Sequence, residues 1–196
     1  VSEFGADRIA RVSADGFKVG TFSGSGTGDG KGHFYVSDYG NARVAKFTTD
    51  GEYLFSFGGV ESPAGIVAMA GRVYVADSVA GAIAVFDESG NRLGEIRTAG
   101  MESPEGLSVY RPGEILVSDG HRLYVIEVER EVVSVLAELN EQRRLLGSVV
   151  DANRNLLAAD YATGSVLVMA ASEELYTGLN VEVDYVNAVD HPRVFA

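Results

Sequence analysis

Four short apolar runs, each ending in aspartate, recur along this 196-residue chain. They are Tyr35-Val36-Ser37-Asp38, Tyr74-Val75-Ala76-Asp77, Leu116-Val117-Ser118-Asp119 and Leu157-Ala158-Ala159-Asp160. The aspartates recur at intervals of about 40 residues, which is the period of one four-stranded propeller blade. A second feature keeps step with the first: Ser62-Pro63-Ala64-Gly65-Ile66 returns one period later as Ser103-Pro104-Glu105-Gly106-Leu107. A third is a turn dipeptide between alternating apolar runs, at Asp15-Gly16, Asp50-Gly51 and Ser89-Gly90. Such pairs supply the positive φ angles of tight hairpins.

One complete unit reads as four strands, near 65–70, 72–77, 82–87 and 92–97. Each alternates or is wholly apolar, as strands packed between neighbouring blades must be. The chain is therefore expected to be all-β, a propeller with about four to five blades present. Whole blades are expected near 24–60, 61–98, 99–140 and 141–172. A partial unit over 8–23 precedes them, with strands at 8–13 and 17–22. The Gly-rich stretch Gly24 to Gly32 stands where an inner strand should enter, so the 24–60 blade is expected to lack that strand. Val135, Leu136, Leu139 and Leu146 would share a helix face, which makes a short helix within 134–146 an alternative to a loop. Residues 173–196 form a tail. Within it 179–187 alternates as a strand that either closes a blade or opens a further domain; pairing beside 8–13 would close the ring.

The run Asp38-Tyr39-Gly40-Asn41-Ala42-Arg43-Val44, followed by Phe47 and Asp50-Gly51, is similar to the NHL repeat. The Pro-x-Gly-Ile/Leu segments and the Val-x-Asp strand ends fit the same pattern. The resemblance covers roughly residues 5–172. The full motif occurs once: Asp77-Ser78-Val79-Ala80-Gly81 and Asp160-Tyr161-Ala162-Thr163-Gly164 lack the Asn and Arg, and Asp119-Gly120-His121-Arg122-Leu123 is shortened. Membership would imply a bacterial NHL repeat-containing protein with six blades. At ~40 residues each these need ~240 residues, more than this chain supplies.

Composition narrows the function classes. No cysteine is present, which removes disulfides, thiolate nucleophiles and cysteine metal sites while leaving the compartment open. No apolar run reaches the length of a membrane span. Val1 to Gly5 lacks the basic and apolar segments of a signal peptide. The formal charge of -12 sets the surface against phosphate backbones, so no nucleic-acid partner is expected.

The polar candidates divide into structural and binding sets. Asp38, Asp77, Asp119 and Asp160 occupy equivalent places in successive units. They are expected to cap turns through backbone hydrogen bonds and to hold no common cation. The stretch from Gly24 to Gly32 fails as a Walker loop, because Ser25 and Gly32 stand where Gly and Ser/Thr are required. The run from Asp151 to Asn155 fails as a calcium loop, because Leu156 and Ala162 replace the required Gly and Glu; it reads instead as the turn between a blade's first two strands. His33, His121 and His191 are widely separated in the sequence and form no local metal motif. No metal, cofactor or catalytic set is expected.

Tyr39 and Tyr161 each follow a repeated aspartate and should lie near one face of the disc. With Asn41, Arg43, Lys46, Arg143 and Arg144 they are candidate partner anchors. The plainer alternative packs both rings on the next blade with wet hydroxyls. The NHL resemblance implies a non-catalytic scaffold or sensor module with a protein partner and, for some bacterial members, an extracytoplasmic setting. The competing class is a propeller lactonase or lyase with an axial metal, although the inner segments 65–70 and 106–110 carry no obvious ligand. Incomplete blades also make self-association an expectation.

Overall fold

The computed structural model describes residues 2–3, 8–12, 18–22, 25–169 and 183–186, with side chains described over 27–169. The described residues form antiparallel sheets and no α-helix, with a single 3-10 turn at Tyr39–Asn41. Four sheets have four strands each and follow one another along the chain. A three-stranded sheet of β1 (Ser2–Glu3), β2 (Arg8–Val12) and β3 (Lys18–Phe22) precedes them. The first four-stranded sheet holds β4 (Ser25–Gly28), β5 (His33–Asp38), β6 (Arg43–Thr48) and β7 (Tyr53–Phe57). The second holds β8 (Pro63–Met69), β9 (Arg72–Asp77), β10 (Ala82–Asp87) and β11 (Arg92–Ile96). The third holds β12 (Pro104–Arg111), β13 (Glu114–Asp119), β14 (Arg122–Glu127) and β15 (Val132–Glu138). The fourth holds β16 (Leu145–Val150), β17 (Leu156–Asp160), β18 (Ser165–Met169) and β19 (Val183–Val186). They are called blades one to four below.

The inner strands β4, β8, β12 and β16 lie beside one another in that order. Each blade packs face to face on the next through an apolar cluster. Tyr35 and Val44 of blade one meet Val73, Val75, Ala84 and Phe86 of blade two. The opposite face of blade two, with Tyr74, Ala76, Ile83 and Val85, meets Ile115, Val117, Tyr124 and Ile126. Leu116 and Leu123, on the other face of blade three, meet Leu156, Ala158, Leu167 and Met169. Because strand side chains alternate between faces, a middle strand packed on both sides must be apolar throughout. That is why β9 and β10 are almost entirely buried.

Two expectations are corrected, and an alternative left open for the tail is decided. Blade one does have an inner strand: Ser25–Gly28 pairs with β5 from Ser25↔Ser37 to Gly28↔Phe34. Pairing uses backbone groups, so a glycine-rich segment can enter a sheet without apolar side chains. Here the Asp29 carboxylate fixes the turn by accepting the backbone N–H groups of Lys31 and His33 at 2.7 and 3.1 Å. No helix occupies 134–146: Val132–Glu138 continues the sheet beside β14, and a turn leads into β16. Of the two alternatives for the tail, its described strand closes a blade: it takes the outermost place of blade four, pairing Val183↔Met169 through Val186↔Val166. It does not lie beside 8–12, which pairs with β1 and β3.

Candidate binding face

Each repeated aspartate ends the second strand of its blade. Three of them reach back to the connection by which the chain enters that blade. Asp77 accepts the backbone N–H of Glu61 at 2.7 Å and of Ser62 at 3.0 Å. Asp119 accepts those of Glu102 and Ser103 at 2.7 and 2.8 Å. Asp160 accepts that of Arg144 at 3.0 Å, together with that of Ala162 at 3.1 Å. All three residues are buried. The sheet ladder leaves these connection N–H groups unpaired, and an unpaired buried N–H costs ~1–3 kcal/mol. The carboxylate is thus a clamp joining each blade to its entry loop.

Asp38 differs. Its described partners are side chains: Asn41 Nδ2 donates to Oδ1 at 2.8 Å and Arg43 Nε donates to Oδ2 at 2.7 Å. Asn41 and Arg43, the NHL-like pair, therefore brace the Asp38 turn. The last aspartate is reinforced differently again. Burial opposes ionisation of Asp160, but hydrogen bonds from Arg143, Thr163 and the backbone of Arg144 and Ala162 outweigh it. They hold its carboxyl below the ordinary value.

The clamps place the turns after β5, β9, β13 and β17 at the same end of the molecule as the blade connections. Tyr39 and Tyr161 project from this end at 61% and 65% exposure. Arg144 stands 5.8 Å from the Tyr161 ring and bridges to Glu105 of blade three at 2.7 Å. Val79, 64% exposed in the corresponding turn of blade two, joins this surface. It escaped the sequence reading because Asp77-Ser78-Val79 lacks the aromatic, although its place in the repeat marks it.

Two cationic candidates lie elsewhere. Arg143 is turned inward onto Asp160 at 2.7 Å, where a buried carboxylate needs charge compensation. Lys46 is buried between blades one and two. Its ammonium lies 4.9 Å from the Tyr35 ring and donates to the Glu88 carbonyl at 3.0 Å. His33 binds Asp29 at 2.8 Å, and His121 lies 3.4 Å from Glu138; His191 is outside the described residues. Among the described residues no three His, Asp or Glu side chains converge as a metal set.

A cavity of ≈ 470 Å³ lies along the inner strands toward blade four. Its walls include Gly65, Gly106, Gly147, Leu157 and Val166, with Glu105 and Ser148 as polar members. Glu105 is engaged by Arg144, and Ser148 Oγ lies 2.8 Å from Ser118 Oγ.

Consecutive four-stranded antiparallel blades with adjacent inner strands define a β-propeller. No family model and no curated protein matches the chain. Solved propellers do. Virginiamycin B lyase from Staphylococcus aureus superposes with a TM-score of 0.68 at 14% identity, covering 92% of this chain and 63% of that one. Its catalytically inactive histidine-to-alanine variant with Quinupristin gives 0.71 at 13% identity, covering 94% and 64%. The Neurospora crassa Pan2 WD40 domain gives 0.60 at 15%, covering 81% and 47%. The chain thus spans less than two thirds of these proteins' length. At such identities the likeness concerns the fold.

Proposed function

We propose that this chain is an NHL-like propeller module that binds a protein partner through the face carrying the aspartate clamps. The observation behind this reading is the pair of projecting tyrosines. Tyr39 and Tyr161 keep most of their surface in water on a face whose turns are braced by carboxylates. A rigid, amphipathic ring on a fixed turn loses little entropy on binding, which is why such rings serve as interface anchors. Asp38, Asn41 and Arg43 hold one anchor turn; Asp160, Arg143 and Thr163 hold the other. No nucleic-acid partner is proposed, given the charge of -12.

Likeness to virginiamycin B lyase favours a second reading, an enzyme working at the propeller axis. The two readings separate in one pair of measurements. Immobilised chain is used to capture partners from an extract of its source organism, alongside Tyr39→Ser/Tyr161→Ser. A binding module is expected to retain a discrete protein that the double variant loses, and to melt at the same temperature with or without Mg²⁺, Ca²⁺ or Zn²⁺. Stabilisation by one of these ions at millimolar concentration, with capture indifferent to both tyrosines, would favour the enzyme.

A further inference from the structure

The turn after β9 is held between two acidic connections. Its Ser78 donates from the backbone N–H and from Oγ to the Ser62 carbonyl at 3.1 and 3.3 Å, which ties it to the connection carrying Glu61. At its other end Gly81 lies so near the next connection that a Cβ there would stand 2.9 Å from the Glu102 carbonyl oxygen. Val79 sits between these two contacts, 64% exposed. Glu61 and Glu102 hold the same place in successive repeats, each just before the proline that opens an inner strand. Both are exposed. Their main chains are nevertheless fixed, because Asp77 and Asp119 accept their N–H groups at 2.7 Å each.

The arginines at this end are matched within the chain. Arg43 pairs with Asp38, Arg143 with Asp160 and Arg144 with Glu105, all at 2.7 Å. Arg122 pairs with Glu138 at 2.9 Å. Arg97, which also reaches the Ala80 carbonyl beside Val79, pairs with Glu95 at 2.6 Å. None of these pairs uses Glu61 or Glu102. Two outward carboxylates thus flank an exposed aliphatic side chain, on a molecule whose formal charge is -12. Such a field favours a cationic partner and speeds its encounter. Arginine and lysine suit the patch twice over, since their stems lie on apolar surface while their heads meet carboxylates. The equivalent place before blade four holds Arg143, turned onto Asp160, so the acidic pair belongs to blades two and three.

We propose, on the protein-binding reading of this face, that Glu61, Val79 and Glu102 form its recognition patch, and that the occupant is a basic segment of a partner protein with arginine or lysine on both sides of an apolar side chain. The probe is a displayed library of random short peptides selected on the immobilised chain, the enriched peptides then being titrated in solution. They are expected to carry Arg or Lys around a Leu, Ile, Val or Met, and to bind more weakly as salt rises. Glu61→Gln/Glu102→Gln should weaken them about tenfold and flatten the salt dependence, whereas Val79→Ser should weaken them about fivefold and leave it unchanged. Both variants alter exposed side chains and should melt as the parent does. Enrichment of neutral or acidic peptides would overturn the proposal, as would a selection that yields no binder or basic peptides indifferent to both variants. If those indifferent peptides are lost on Tyr39→Ser/Tyr161→Ser, the face still binds protein and only the acidic patch is refuted. Indifference to all three variants removes the face as well.

Discussion

Blades two and four are built from the same pattern and differ in what covers them. In blade two, Val73, Val75, Ala84 and Phe86 face blade one while Tyr74, Ala76, Ile83 and Val85 face blade three, and all eight are buried. In blade four, Leu156, Ala158, Leu167 and Met169 are buried against blade three. The alternate residues Leu157, Ala159, Val166 and Val168 remain half-buried or exposed. A blade's apolar content thus reflects two neighbours, and its stability depends on how many of them are present. In repeat architectures each unit draws its stability from its interfaces with adjacent units.

The largest effect is expected where one inner strand crosses the next. Gly106→Val should destabilise the chain by about 3 kcal/mol or more, because the new atoms meet the backbone of blade four, which cannot step aside. Gly147→Val should cost well under half of that. Chemical denaturation of both variants checks the contrast, and equal losses would break it.

Next come neighbouring leucines on opposite faces of one strand. Leu156→Ala leaves a cavity against blade three and should cost ~2–4 kcal/mol, against about 1 kcal/mol or less for Leu157→Ala. Melting curves of the pair decide this.

Asp119→Ala strands the N–H groups of Glu102 and Ser103 and should cost ~2–3 kcal/mol. Asp38→Ala removes only side-chain partners at a more open site and should cost ~1 kcal/mol or less. Urea titration of both variants sharpens the difference between a backbone clamp and a side-chain brace.

Acid acts in the same direction on blade four. The Asp160 carboxyl is held below its ordinary value of 3.8. Its contribution is fully present above the unfolded value and is lost as pH falls through the lower folded one. Stability should therefore decline below pH ~4, and Asp160→Asn should flatten that part of the profile while lowering stability at neutral pH. A wild-type profile unchanged by the substitution would contradict this. The smallest effect belongs to the rim: Tyr39→Ser and Tyr161→Ser should shift stability by ~0.5 kcal/mol or less in thermal melts, since both rings are exposed.

The same contrast explains what could be read from sequence. Blades two and three announce themselves through continuous apolar strands, the aspartate period and the Pro-x-Gly openings, because their side chains do the packing. Strand β4 was hidden because Ser25–Gly28 has no apolar residue to show a strand pattern, while its pairing with β5 needs only backbone groups. The place of β19 was hidden because a long connection separates Val183 from its partner strand's end at Met169, and alternation reports a strand without naming its neighbour. Val135, Leu136 and Leu139 fit a helical spacing at an outer strand, where partial exposure lifts the demand for strict alternation. At the candidate face, the repeat located both tyrosines. Whether a cation lies outside or turns inward depends on reach and burial: Arg143 and Arg144 are adjacent in sequence, yet one is drawn to Asp160 and the other to Glu105 across the blade boundary.

Native-state hydrogen exchange resolved by strand tests the two-neighbour account most directly. Amides of β9, β10 and β13 are expected to exchange only with global unfolding, while those of β17 and β18 exchange at least tenfold faster through separate opening of blade four. Equal protection in blades two and four, with one shared opening event, would contradict it.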